Sequence, residues 1–315
     1  MPLTSSPPIT LHLGAHRTAS SSLQRLLERG APALRASGLA VWTPRDTRSG
    51  LMAGVLGDPG RLDALRDVMA HRAAGRIALR RDEMRRKGLI RLILSEENAL
   101  GGLRENVLLG RLYPTAQARL SRLRVAVPGV DRVCLAIRSP DEWWTSAFAF
   151  LMTRGFAPPD RATLDVILQA KRSWRHVITD VAAAFPRADL CVWTHEETGI
   201  RPDAAYATLT GADDTASDVP VLNARLSLGA LRQRLRDDGL VTSLPGVGDS
   251  YAPFAPDERA VLRDAYADDL AWLRDGADGL ATFVTRRPTD APARDRKGVP
   301  YVARGRSDGP LGRTG

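Results

Sequence analysis

The chain has 315 residues, 43% apolar and 26% charged, with 27 Gly and 21 Pro, a composition that excludes a collagen-like fibre, a disulfide scaffold and wholesale disorder. At this length a chain buries roughly three quarters of the surface its unfolded form exposes. The net charge of +9 is concentrated at the C-terminus, where residues 286–315 hold eight basic and three acidic residues; the slightly basic remainder suits a small polyanionic ligand, and no nucleic-acid partner is expected.

No apolar run reaches the ~18 residues of a membrane span, and the start, MPLTSSPPITLHLG, lacks the charged leader and apolar core of a secretory signal. The expectation is a cytoplasmic protein with no membrane span. Short β-branched or apolar runs alternate with stretches that repeat apolar residues every three or four positions, the pattern of a parallel sheet covered by helices. Strands are predicted at 9–14, 39–42, 89–95, 132–138 and 190–194. After the first strand and its loop, Leu23, Leu26 and Leu27 mark a helix that Gly30 closes; it resumes over 32–37 and Gly38 ends it.

Leu62, Leu65, Val68 and Met69 mark the apolar face of a helix reaching about Lys87, whose other face carries the basic cluster RIALRRDEMRRK as a solvated surface. Further helices are predicted at 104–123, 140–153, 173–185, 228–237 and 256–273. Cys134 and Cys191 fall inside strand runs, so they read as small buried residues, and no metal site is expected. Beyond Thr285 the apolar density collapses into a Pro-, Gly- and Arg-rich stretch that cannot offset its ordering entropy by burial. The predicted architecture is α/β, a parallel sheet covered by helices over 1–285, followed by a basic flexible tail over 286–315. Nothing in the sequence speaks to oligomeric state.

The segment ITLHLGAHRTASSSLQRLL runs strand, tight loop, helix. Such a turn presents unpaired backbone N–H groups and the positive end of the helix dipole to an anion. The Walker pattern is absent, because the places that should hold Gly, Lys and Ser/Thr hold Ala19, Ser20 and Ser21. Instead LHLGAHRTASSSLQ resembles the 5′-phosphosulfate loop of the sulfotransferases, whose bacterial members often read close to GAHKTGTTSLQ. On that pattern Arg17 stands where the family has Lys, Thr18 on Thr, Ala19 on Gly, and Ser20 and Ser21 on the Thr pair; His16, Ser22, Leu23 and Gln24 match outright.

Downstream, DRVCLAIRSPDEWWTSAFAFLMTRG puts Arg138 at a strand end. A helix start follows, with Ser139 as cap, Pro140 at its first position and Glu142 closing a capping box. Sulfotransferases carry an Arg at the end of this strand and a Ser eight residues on, which hold the 3′-phosphate of the donor; Arg138 and Ser146 have that spacing. The resemblance extends loosely through LILSEENALGG, LCVWTHEE, the NARLS stretch and FAPDERAVLRDAYADDLAWL, over most of 9–275.

The resemblance implies a single three-layer αβα domain with a central, mainly parallel sheet, a fold of the P-loop nucleoside-triphosphate-hydrolase type. It also implies transfer of a sulfuryl group from 3′-phosphoadenosine 5′-phosphosulfate, without a metal, to a hydroxyl or amine of an unidentified small-molecule or carbohydrate acceptor. Donor-binding residues are then Arg17, Thr18, Ala19, Ser20, Ser21, Arg138 and Ser146. Arg17 is also expected to stabilise charge on the sulfuryl group and departing phosphate, with Glu97 first and Glu96 second as base, and His16 as a further base or phosphate contact. Arg17 is not a conservative replacement for Lys, and Ala19 is strained where a Gly would adopt positive φ. A degenerate chain that binds nucleotide or a partner without turnover is therefore the alternative. His12, Trp143 and Trp144 read as core residues, and His195, Glu196 and Glu197 as structural ones. Arg296, Lys297 and Gly298 match a phosphate-gripping tripeptide of cytosolic sulfotransferases, a match that an Arg-rich tail also makes by chance.

Overall fold

The computed structural model describes residues 6–61, 63–198, 202–211, 222–240 and 243–285. In chain order its elements are β1 (Ile9–His12), α1 (Ser20–Ala36), β2 (Leu39–Trp42), α2 (Pro44–Asp46), α3 (Ala64–Arg86), β3 (Arg91–Ser95), α4 (Leu103–Leu109), α5 (Ala116–Ala126), β4 (Val130–Ile137) and α6 (Pro140–Met152). There follow α7 (Arg161–Gln169), α8 (Trp174–Ala184), β5 (Asp189–Thr194), α9 (His195–Thr198), α10 (Pro202–Thr210), α11 (Leu228–Asp237), β6 (Gly246–Val247), β7 (Ser250–Tyr251), α12 (Pro256–Arg274) and β8 (Thr282–Phe283). The predicted tail, with Arg296, Lys297 and Gly298, lies outside the described residues.

Six parallel strands form the central sheet in the order β2-β3-β1-β4-β5-β8, and β6 and β7 make a separate antiparallel pair. The period of two along each strand divides the core. On one face Ile93, Cys134, Ala136 and Trp193 pack against Leu23, Leu27 and Leu34 of α1 and Tyr206 of α10. On the other, Leu92, Leu94, Val133, Leu135 and Ile137 pack against α3, α5, α6 and α8. Burial on both faces is why these strands read as continuous apolar runs. The fold is a three-layer αβα domain with a parallel sheet, the class that the sequence predicts. Among the described residues no helix is long and apolar enough to cross a membrane.

Several predicted elements are corrected. Gly30 and Pro32 do not divide α1, which runs unbroken: a Cβ at residue 30 would lie 2.5 Å from the Tyr206 hydroxyl, so this glycine permits the close approach of α10. The predicted helix over 104–123 is two, α4 and α5, separated where Gly110 turns left-handed at φ 58° and Pro114 follows. The apolar face of α3 is also misassigned. Leu65 is 67% exposed, with Val68 and Met69 also exposed, whereas Ala73, Ile77 and Met84 meet the core; Leu62 lies outside the described residues. The strand β8 has no counterpart in the prediction, because two residues carry no periodicity to read. Finally, the capping box at α6 does not form: Ser139 makes no side-chain cap and its N–H donates instead to Glu196 Oε1 at 2.8 Å.

Candidate functional site

All six strands point the same way, so the loops that follow β1, β3 and β4 gather at one edge of the sheet. The chain leaves β1 toward β2 and leaves β4 toward β5, so the β1/β4 boundary is the crevice in which open α/β sheets take their ligands. The ladder between the two strands continues into the loop, with Leu13 N–H donating to Cys134 O and Ala15 N–H to Ala136 O, both at 2.9 Å. Gly14 sits at φ 83°, and a Cβ there would come within 3.0 Å of both Glu97 Cβ and Ser20 Oγ. Glycine is thus what lets the loop lie directly against Glu97.

Beyond Ala15 the loop leaves the ladder. Arg17 and Ala19 take positive φ, 62° and 67°, on either side of Thr18, the kind of alternation from which backbone nests are built. Among the described residues no acceptor receives the N–H groups of Arg17, Thr18, Ala19, Ser20 or Ser21. Two loop hydroxyls turn inward, Thr18 Oγ1 and Ser20 Oγ both donating to Ala15 O at 2.7 and 2.8 Å. Ser21 Oγ accepts from Asn223 Nδ2 at 3.2 Å. The Ala19 conformation, φ 67° and ψ 16°, is left-handed, so the glycine-like strain anticipated there is present.

Arg17, Arg138 and Ser146 are brought together. Arg17 Nε donates to Ser146 Oγ at 2.9 Å, its Nη2 donates to Asn223 O at 2.9 Å, and its guanidinium lies 4.6 Å from the centre of the Phe150 ring. Arg138 Nη1 donates to Arg17 O at 3.1 Å. Burial, then the charges of Arg138, Arg154 and Arg225, lower the Arg17 guanidinium to about 10, which leaves it charged at neutral pH. Arg138 is lowered too, first by burial, with Glu142 opposing. At four-residue intervals Arg138, Glu142, Ser146 and Phe150 form one stripe of α6 and the turn before it. Trp143 Nε1 donates to His16 O and Trp174 Nε1 to Arg138 O, at 2.8 and 2.7 Å, which fixes the loop and the strand end to buried indoles. Trp143 and Trp144 belong to the core.

The two carboxylates after β3 differ. Glu96, 1% exposed, accepts from Thr47 Oγ1, from Arg48 Nη2 at 2.5 Å and from Asn98 N–H at 3.1 Å. Glu97, with its side chain 14% exposed, accepts from Gln24 Nε2 at 2.7 Å and Arg48 Nη2 at 2.8 Å. Burial raises the Glu97 carboxyl, but the charges of His16 and Arg48 and these hydrogen bonds prevail and hold it at about 2. Both ring nitrogens of His16 are engaged: Tyr113 O–H donates to Nδ1 at 2.9 Å, and Nε2–H donates to Asn98 Oδ1 at 3.0 Å. Burial, with Glu97 opposing, lowers His16 from its ordinary value. His12 is a core histidine, bonded to Ser95 Oγ at 2.8 Å and stacked on Trp193.

Gln24, Arg48, Tyr113 and Arg225 shape this site without having been singled out as site residues. Gln24 and Arg225 lay inside matching segments and could have been read from them; Arg48 and Tyr113 come from loops with no local signature. Behind the loop a cavity of about 10 Å³, lined by His12, Thr18, Ala19 and Trp193, has room for one water. A groove of about 770 Å³ between α8 and α12 touches none of the predicted site residues. Among the described residues no cluster of His, Cys, Asp and Glu could hold a metal ion. No family profile and no curated protein matches the chain. Among solved structures it is similar to the crystal structure of a sulfotransferase from Alicyclobacillus acidocaldarius, at 15% identity over 87% of this chain and 97% of that one, with a TM-score of 0.44.

Proposed function

We propose that the chain is a sulfotransferase that moves a sulfuryl group from 3′-phosphoadenosine 5′-phosphosulfate to a hydroxyl or amine of a small-molecule or carbohydrate acceptor. The observation that carries this reading is the convergence of Arg17, Arg138 and Ser146 beside loop N–H groups that have no acceptor among the described residues. These residues suit a nucleotide with two anionic groups: the nest over 17–21 would hold the phosphosulfate, and Arg138 with Ser146 the 3′-phosphate. Ser146 is fully buried under Arg17, so an anion reaches its hydroxyl only as the Arg17 side chain gives way.

The donor supplies an activated sulfuryl group. The S–O bond to the 5′-phosphate breaks, a new S–O or S–N bond forms to the acceptor oxygen or nitrogen, and the acceptor proton passes to a carboxylate. Glu97 is the better placed for that proton, because Glu96 is consumed by Thr47, Arg48 and the Asn98 N–H. A carboxylate held near 2 is a weak base toward an alcohol, but it accepts the proton readily once the acceptor oxygen has begun to bond sulfur and turned acidic. Arg17 places a fixed charge where the leaving phosphate develops its own. His16, tied at both nitrogens, positions the loop.

The test is calorimetric and thermal-shift titration with adenosine 3′,5′-bisphosphate beside AMP and ATP. Selective binding of the bisphosphate is expected, and a ligand at 100 times its dissociation constant adds about 2.7 kcal/mol to the native state. Arg138→Ala is expected to abolish that binding in a folded protein. No shift with the bisphosphate, or full affinity in folded Arg138→Ala, refutes the reading; binding without transfer to any of a panel of alcohols, phenols, sugars and amines points to the degenerate alternative.

A further inference from the structure

The acidic first turn of α6 gathers guanidinium groups from outside the helix. Three guanidinium groups from three separate parts of the chain meet on the carboxylate of Glu142: Arg138 Nη2 at 3.3 Å and Arg225 Nη1 at 3.0 Å from Oε2, and Arg259 Nη2 at 3.4 Å from Oε1. Glu142 has two oxygens for three donors, so Arg138 and Arg225 share one of them. A phosphoryl group with three terminal oxygens could give each guanidinium its own. Glu142 lies midway between Arg138 and Ser146 on the α6 stripe, and its side chain is 30% exposed, within reach of solvent. Its usual duty at this helix position is discharged by another residue, because Glu196 takes the Ser139 N–H. Glu142 can therefore turn away without uncapping α6. Asp141, the neighbouring carboxylate, is fully buried and fixed by Ser139 Oγ at 2.6 Å and Arg263 Nε at 2.8 Å, so it cannot do the same.

We infer that Glu142 is a resident counter-ion that keeps Arg138 and Arg225 assembled in the empty protein, with Arg259 held between it and Asp141, from which Arg259 Nε lies 3.3 Å, and that the phosphomonoester of the nucleotide displaces it; Arg225 and Arg259 are thereby anion-binding residues. This rests on the nucleotide reading above and adds two ligands and a competitor to it. The competitor limits affinity in the native chain: each phosphate that binds must break the Glu142 pairs.

The experiment is titration calorimetry of wild type, Glu142→Gln and Arg225→Gln with adenosine 3′,5′-bisphosphate, 3′-AMP, 5′-AMP and inorganic phosphate, with circular dichroism to establish folding. Glu142→Gln keeps a hydrogen-bonding side chain, loses the charge, and is expected to bind the bisphosphate and 3′-AMP at least about tenfold more tightly, while Arg225→Gln binds them about tenfold more weakly. A gain for 3′-AMP but not 5′-AMP identifies the 3′-phosphate as the group that displaces Glu142. Unchanged or weaker binding in folded Glu142→Gln overturns the inference; if that variant fails to fold, undiminished affinity in Arg225→Gln overturns it instead. If wild type binds neither bisphosphate nor 3′-AMP, the nucleotide reading fails, and inorganic phosphate then decides the counter-ion role on its own: a tenfold gain in Glu142→Gln supports it and no gain removes it.

Discussion

Ala19→Gly should stabilise the protein. Ala19 is the residue before the first turn of α1 and sits at φ 67°, ψ 16°, with no side-chain cap to lose. An L-residue with a Cβ pays about 1–2 kcal/mol for that conformation. Glycine removes the cost but gives the unfolded chain additional freedom that is worth about 0.4–1 kcal/mol. Glycine is also preferred to alanine at a helix N-cap. The balance is a gain of about 0.5–1 kcal/mol. Urea unfolding followed by circular dichroism checks it, with the slope of free energy against denaturant required to stay constant so that a midpoint change reports stability. A loss of about 0.5 kcal/mol or more, at constant slope, would show that the methyl group is held by packing worth more than the backbone strain, and the strain argument would fall.

Three other outcomes follow from the same geometry. Gly30→Ala should cost about 1–3 kcal/mol through overpacking against Tyr206, and Tyr206→Phe in the same chain should recover part of it, since the hydroxyl is the atom met at 2.5 Å; a Gly30→Ala protein as stable as wild type excludes the clash. Burial lowers His12 and His195 from 6.5 to about 4, so each is neutral in the fold and takes up a proton on unfolding between these values. Stability should thus decline as the pH falls from 6.5 toward 4, and His195→Asn should flatten the decline by about 1.4 kcal/mol per pH unit; equal pH dependence in the two proteins counts against it. Glu97, held at about 2 against 4.5 when unfolded, adds stability that is complete above pH 4.5 and lost as the pH falls from 4.5 toward 2; Glu97→Gln should lack that acid-labile component in denaturant titrations.

Local sequence was a good guide where local forces decide. The runs that became β2 and α11 were read to the residue because each is bounded by strong punctuation, Gly38 before β2 and the Ser227 cap before α11. It misled where a partner distant in sequence outbids a neighbour. Glu142 sits in a textual capping box, but three arginines claim its carboxylate and Glu196 takes the N–H it would have satisfied. Leu65, Val68 and Met69 have helical spacing and still face solvent, because the part of α3 that meets the sheet begins at Ala73. The positions of Arg17, Arg138 and Ser146 were legible as two separate segments, and the sheet order brings them side by side. Arg48 and Tyr113 were not legible, since only tertiary packing carries them to Glu97 and His16.

The fork of Arg17 is completed by a carbonyl 206 positions further along the chain, and the guanidinium groups on Glu142 arrive with residues 225 and 259. All five strands from β1 to β5 precede both. During synthesis the sheet can therefore pair while the crevice still lacks half of its charged wall, and contacts of such long sequence separation form late because their loop entropy is met only after the strands have docked. A ribosome-bound chain ending before Asn223 would hold five of the six strands and the loop after β1 but would lack the carbonyl and the two guanidinium groups that close the crevice, so its charged wall is completed only in the last third of translation.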